Sequence, residues 1–88
     1  MTRAVSELLG LQVYYGATRF GWISRILVDD RGDPLVLEVS SNDAVEFFTP
    51  AGGASLQDRC VIVGSTAPVL AAADILFYQD RGGRWEGG

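Results

Sequence analysis

The 88-residue sequence carries a net charge of −4, almost half of its residues are apolar, and all seven of its basic residues are arginines. This length suits one domain with a modest core, and the composition excludes a disordered chain. Phosphate backbones attract clustered positive charge, so the acidic balance and the scattered arginines disfavour nucleic acid as a partner.

The sequence carries no pattern typical of membrane insertion or secretion. The apolar run at residues 67–73 is far shorter than the roughly 20 residues that cross a bilayer. Residues 1–7 have no apolar core of a secretion signal, and the single cysteine, Cys60, can form no internal disulfide. We therefore expect a cytoplasmic protein that does not contact a membrane, with Cys60 as a buried apolar side chain.

The first elements are short β-favourable segments. One helical turn is predicted at residues 6–10 and a strand at residues 11–15. Residues 20–28 form the longest β-favourable run. Because both of its faces carry apolar side chains, we expect a strongly bent strand, and Gly21 allows a bulge or bend at its start.

A hairpin is predicted next. The turn at residues 29–34 is rich in Asp and Gly, and residues 35–39 form the return strand, with Val36 and Glu38 on one face.

A third strand is predicted at residues 45–49, after a second turn at residues 40–43. Alternation places Val45 and Phe47 inward and Phe48 outward. Two further short strands flank a tight connection, at residues 55–56 and 60–63.

The C-terminal segment has a different pattern. After a linker at residues 65–68, the Ala-rich spacing predicts a helix at residues 71–81. The alternative is a further strand at residues 75–78, because short apolar runs are ambiguous. Residues 83–88 are expected to be a loose tail.

The strand region resembles the PRC-barrel family, found in the H subunit of the photosynthetic reaction centre and in the C-terminal domain of the ribosome maturation factor RimM. The likeness covers residues 7–64 and lies mainly in residues 8–14 and 20–39, and residues 47–50 resemble a later strand of the family. The positions that fall on the family's pattern of glycines and apolar residues are Gly10, Val13, Gly21, Ile23, Ile26, Val28 and Asp29.

The resemblance implies a mainly β fold, a small barrel of about five to six strands. The whole chain, residues 1–88, is then one domain, and the C-terminal helix lies outside the shared pattern. The resemblance implies no catalytic site, because the family has none in common.

No catalytic, cofactor-binding or metal-binding residue is predicted. The sequence has no histidine, which removes His-dependent nucleophilic triads and His-ligated metals. Asp29, Asp30 and Asp33 surround Gly32 and offer carboxylates to Ca²⁺. Their spacing differs from that of an EF-hand loop, and a solvated turn explains the cluster, so ion binding there is the lesser alternative. We expect no enzyme and no cofactor.

The aromatic residues are the most informative positive signal. A small core cannot cover both faces of every strand, so some aromatic side chains must face outward, and exposed aromatic patches mark interfaces. The candidate interface residues are Trp22, Phe48 and Phe77. Self-association as a two-fold homodimer is slightly favoured. The alternative is that the C-terminal helix closes the barrel and covers all three.

The leading hypothesis is therefore a non-enzymatic protein-interaction or assembly module of the PRC-barrel type, acting as a homodimer. By analogy of fold with RimM, the alternative is an RNA-processing or ribosome-associated adaptor. A third possibility is an enzyme or small-ligand binder that uses the mouth of the barrel.

Overall fold

The fold is seen in a computed structural model, which describes residues 5–42, 44–64 and 69–87. These residues form two helices, a 3₁₀ turn and seven strands, and all the strands join one sheet. The mainly β class is confirmed, with seven strands instead of five to six. In chain order the elements are α1 (Val5–Leu8), β1 (Gln12–Tyr15), β2 (Thr18–Val28), β3 (Pro34–Ser41), β4 (Ala44–Pro50), the 3₁₀ turn (Ala51–Gly53), β5 (Ala54–Gln57), β6 (Cys60–Val63), α2 (Ala72–Asp80) and β7 (Arg84–Gly87).

The predicted linker at residues 65–68 lies outside the described residues. So do Asp43 of the second predicted turn and Gly88 of the predicted tail.

The β2–β3 hairpin depends on one aspartate. Asp29 Oδ1 accepts hydrogen bonds from the backbone N–H groups of Arg31 and Asp33, both at 2.9 Å. Gly32 adopts φ +86°, which an L side chain rarely takes. Side-chain-to-backbone bonds and a positive φ are what a tight turn needs. The predicted hairpin is confirmed, and the Asp29 carboxylate serves its own turn.

Strand β2 organises the sheet. The strand order is β4-β3-β2-β1-β6-β5, and β7 also pairs with β2. On one side β2 pairs with β3 along most of its length. Its other side is shared, because β1 takes the N-terminal part and β7 takes residues 25–28. All of these ladders are antiparallel except β1–β6, which is parallel.

The sheet is strongly curled. Strands β4 and β5 lie at opposite ends of the strand order, yet the three-residue turn Ala51–Gly53 joins them. Three residues span at most about 10 Å, so the two ends of the sheet lie near each other. No β4–β5 ladder forms among the described residues. The sheet is therefore not closed into a barrel by hydrogen bonds, and a seam stays open between β4 and β5.

Two apolar clusters lie on the two faces of the sheet. The larger cluster fills the inside of the curl, and we call it the main core. Its buried members are Val13, Ile23, Ile26, Val28, Leu37, Val39, Phe47, Val61 and Val63. The smaller cluster lies on the outer face, where α2 covers Leu27 and Val36 with Ile75.

A bulge at the start of β2 explains the need for glycine there. The β1–β2 ladder pairs Val13 with Gly21 and Tyr14 with Arg19, so Phe20 is the extra residue. Gly21 has φ +140° and is buried against the backbone of Ser40. The bulge expected at Gly21 is confirmed.

The inward position predicted for Val45 is wrong, because its side chain is 51% exposed. The β3–β4 ladder pairs Val39 with Phe47 and Ser40 with Val45, which leaves Glu46 as an extra residue. A bulge shifts the in–out alternation by one position. Val45 therefore joins Ser40 on the outer face, whereas Phe47 is inward as predicted.

Helix α2 forms as the Ala-rich pattern predicts, and the alternative strand at residues 75–78 is wrong. Asp74 Oδ2 accepts the backbone N–H of Ala71 at 2.9 Å, which caps the first turn. Gly82 ends the helix with φ +91°.

The structure also differs from the prediction of a loose tail at residues 83–88. Arg84–Gly87 forms β7, and Trp85 pairs with Leu27 of β2. The pairing partner lies far away in sequence, so local propensity does not reveal it.

Candidate interaction surface

The outer face of the sheet carries a row of polar and aromatic side chains beside α2. The main core takes Ile23, Val39 and Phe47 from three adjacent strands. Their neighbours on β3 and β4 therefore project outward. Glu38 lies opposite both Arg25 and Phe48, so these three side chains share the outer face.

Glu38 is the centre of a buried polar network, with only 4% of its surface exposed. Arg25 Nε lies 3.1 Å from both carboxylate oxygens, and Arg25 Nη2 donates to Oε2 at 2.6 Å. Ser24 Oγ donates to Oε1 at 2.7 Å and lies 2.6 Å from Ser40 Oγ. Such bidentate, charge-assisted bonds are among the strongest in proteins.

The network keeps Glu38 charged. Burial alone would raise the pKa of its carboxyl. The hydrogen bonds from Arg25 and Ser24 and the charge of Arg25 outweigh this effect of burial, so the pKa of Glu38 lies below its ordinary value. The hydrogen bond with Glu38 likewise raises the pKa of Arg25. Each group satisfies the other, which suits a structural role and leaves neither poised for proton transfer.

Trp85 covers this network from β7. The guanidinium carbon of Arg25 lies 4.2 Å from the centroid of the Trp85 ring, and the Phe48 and Trp85 ring centroids are 5.9 Å apart. The Trp85 ring thus stacks on the cation and packs against an aromatic neighbour. These contacts connect the tail strand to the β2–β3 hairpin.

The structure separates the three candidate interface residues. Trp22 is half-buried on the outer face, in a shallow depression with Arg19 and Asn42. Phe48 is half-buried and packs against Trp85 and the small cluster under α2. Phe77 lies on α2 and is 50% exposed. Phe48 is thus largely covered within one chain, whereas Phe77 faces solvent.

The most exposed apolar surface lies on α2 and the segment before it. Val69 and Leu76 are each 59% exposed, and Phe77 is 50% exposed, whereas Ile75 on the sheet side of α2 is 8% exposed. We call Leu76 and Phe77, which lie together on the helix, the α2 patch. The guanidinium carbon of Arg81 lies 3.6 Å from the Phe77 ring centroid and borders the patch.

An apolar cavity of about 250 Å³ lies beside the turn Ala51–Gly53, between residues of β3, β5 and β6. Its walls include Leu8, Leu37, Leu56 and Val61, and Ser55 supplies a hydroxyl. Ligand pockets usually enclose about 300–1,000 Å³ with several convergent polar groups. The cavity is therefore small and weakly polar for a metabolite site.

The remaining candidate groups have local roles. In the acidic turn, the carboxylate of Asp29 accepts hydrogen bonds from backbone N–H groups of the turn itself. In the described part of the chain, no group of three His, Cys, Asp or Glu residues is arranged to hold a metal ion. Cys60, predicted to be buried, is half-buried at the start of β6. The described helices α1 and α2 have four and nine residues, too few for either to cross a membrane.

Several residues of this surface were not predicted from the sequence. The Arg25–Glu38 pair could have been predicted. Counting residues outward from the turn at residues 29–34 along both strands places Arg25 opposite Glu38. Leu76 could also have been predicted to be exposed, since it lies about 100° around α2 from the buried Ile75 and borders Phe77. The position of Trp85 could not have been predicted, because it depends on the long-range pairing of β7 with β2.

Comparison with known proteins leaves the family open. No protein-family model matches the sequence, and neither a curated protein nor a solved structure is significantly similar to it. The resemblance to the PRC-barrel family stays a prediction from the residues that carry it.

Proposed function

We propose that this chain is a non-enzymatic protein-interaction or assembly module of the PRC-barrel type, and that the α2 patch is its docking surface. The observation that carries the proposal is the exposure of Leu76 and Phe77 on a helix whose opposite side is already buried. Contiguous exposed apolar side chains favour protein contact, because covering them removes apolar surface from water.

The PRC-barrel part of the proposal is supported by features of the resembling segment. The sheet is curled and its two ends are joined by a three-residue turn. Gly21 and Asp29, which fall on the family pattern, have definite structural roles in the bulge of β2 and in the hairpin turn.

The non-enzymatic part is supported by how the ionisable groups are used. Among the described residues, a shifted pKa is found for Arg25 and Glu38, and these two bind each other. Shifted groups at catalytic sites normally lie in a cleft that a substrate can enter. Here the carboxylate of Glu38 is covered by its own chain.

An RNA-associated adaptor requires cations that are free to meet phosphates. Arg25 is bound by Glu38, and Arg84 forms a 3.3 Å ion pair with Glu86. These two pairs and the net charge of −4 count against RNA, although Arg19, Arg31, Arg59 and Arg81 are exposed.

The test uses two differently tagged copies of the chain, co-expressed in the native host. One tag is captured, and bound protein and RNA are measured. We expect Phe77→Glu to remove the bound proteins, because a charge in the α2 patch would have to be desolvated on docking. Gln79→Glu places the same charge elsewhere on α2 and should leave capture unchanged. Equal capture by the wild type and Phe77→Glu, or salt-sensitive RNA as the bound species, would overturn the proposal.

A further inference from the structure

We infer that the α2 patch binds the α2 patch of a second copy of this chain, with the two helices antiparallel about a two-fold axis. This inference rests on the proposed function and identifies its partner. It depends on how apolar and charged side chains are arranged along α2.

The apolar part of the contact is short and central. Leu76 and Phe77 lie near the middle of the surface between Asp74 and Arg81, and both are at least half exposed. Under a two-fold axis near residue 77, the Phe77 side chains of the two copies meet and each Leu76 covers the partner's apolar surface. Such an isologous contact uses one patch twice.

The charges select the antiparallel orientation. Asp74 and Arg81 are seven residues apart, about two helical turns, so they lie on the same flank of the helix at opposite ends. Both are exposed. Antiparallel pairing brings Asp74 of each copy to Arg81 of the other, whereas in a parallel two-fold pair the charged flanks of the two helices lie on opposite sides of the contact and do not meet. Opposite charges across an interface fix its register.

Arg81 is already positioned for this contact. Its guanidinium carbon lies 3.6 Å from the Phe77 ring centroid, and Nη1 donates to the Phe77 carbonyl oxygen at 3.5 Å. The cation is therefore held at the border of the patch, and less side-chain freedom is lost when a carboxylate binds it.

The inferred dimer is small. Stable interfaces bury about 800 Å² on each partner, and nine helical residues extend only about 14 Å. We therefore expect a weak dimer whose population rises through the micromolar range.

Sedimentation velocity over a series of chain concentrations tests the dimer. The wild type should show a dimer fraction that rises with concentration, and Leu76→Glu should be monomeric throughout. A monomeric wild type, or an equal dimer fraction in Leu76→Glu, would overturn the inference. Thermal unfolding of each variant checks that loss of the dimer does not reflect loss of the fold.

A charge exchange tests the orientation. Asp74→Arg and Arg81→Asp should each weaken self-association about tenfold, and a mixture of the two variants should form heterodimers that recover it. The mixture is decisive, because Asp74 also caps α2 and Asp74→Arg alone weakens the helix. If the mixture associates no better than either variant alone, the antiparallel arrangement is wrong.

The dimer and the proposed function can fail separately. If the wild type is monomeric but captures a host protein that Phe77→Glu loses, the dimer is excluded and the docking surface stands. If no capture depends on Phe77, both are excluded.

Discussion

Arg25 and Glu38 lie opposite each other across the β2–β3 hairpin and form a bidentate ion pair, with Arg25 Nη2 2.6 Å from Glu38 Oε2. The side chain of Glu38 is 5% exposed and that of Arg25 is 37% exposed. This pair links the hairpin, the tail strand β7 through Trp85, and the strand β4 through Phe48. The outer face of the sheet is thus organised around one buried carboxylate.

Removing that carboxylate should destabilise the fold. Glu38→Ala leaves the guanidinium of Arg25 without its carboxylate and removes the 2.7 Å hydrogen bond from Ser24 Oγ, and we expect a loss of about 2 kcal/mol in the free energy of unfolding. This is below the value for a fully buried pair, because water can still reach Arg25. Urea denaturation measures the change. Glu86→Ala, which breaks the more exposed pair with Arg84, is the control and should cost less than about 0.5 kcal/mol.

The same carboxylate should make stability depend on acid. The pKa of Glu38 is lowered in the folded state, so its charged form stabilises the fold above the ordinary value of 4.5, and this contribution is lost as the pH falls from 4.5 through the folded pKa. Arg25, whose pKa is raised, stays charged in this range. The difference in unfolding free energy between the wild type and Glu38→Gln should therefore shrink in acid. A difference that is constant with pH would contradict the role given to this pair.

Gly21 should not tolerate a side chain. A Cβ at this position would collide with the carbonyl oxygen of Ser40, and the φ of +140° is strained for any L residue. We expect Gly21→Ala to reduce the free energy of unfolding by about 3 kcal/mol. Gly64→Ala is the control, since no atom of the described residues lies within 4 Å of a Cβ placed there. Similar melting temperatures for the two variants would show that the bulge at β2 is not required.

Trp85 should contribute to stability although it lies close to the chain end. Trp85→Ala removes the ring that stacks on Arg25 and contacts Phe48, and we expect a loss of about 2 kcal/mol. Trp85→Phe keeps an aromatic face and should recover part of it. If Trp85→Ala is as stable as the wild type, residues 84–87 are a loose tail, as the sequence pattern suggests.

Sequence patterns locate most elements because their signals are local. The Asp- and Gly-rich turn at residues 29–34 indicates the hairpin, and Ala-rich spacing followed by Gly82 indicates α2. Strand pairing is different, because it is set by contacts between distant segments. The β2–β7 pairing and the open seam between β4 and β5 could not be predicted for that reason.

The candidate surface was only partly predictable. Phe77 follows from the helical spacing around Ile75, and the outward direction of Phe48 follows from alternation. The position of Val45 depends on a bulge that no local signal marks. The cover of Phe48 by Trp85 depends on β7. The exposure of a single aromatic side chain can therefore be predicted only when the long-range strand pairing is known. The presence of apolar residues on both sides of α2, in contrast, is visible in the sequence.

Photo-crosslinking from position 77 tests the docking surface most directly. Phe77 is replaced by the photoreactive analogue benzoylphenylalanine in the native host, and Gln57, exposed on β5, is replaced in a control. Illumination should give a covalent adduct from position 77 at twice the mass of the chain, and none from position 57. An adduct with another protein would keep the surface and exclude self-association. No adduct from position 77, or the same adducts from both positions, would contradict a docking role for the α2 patch.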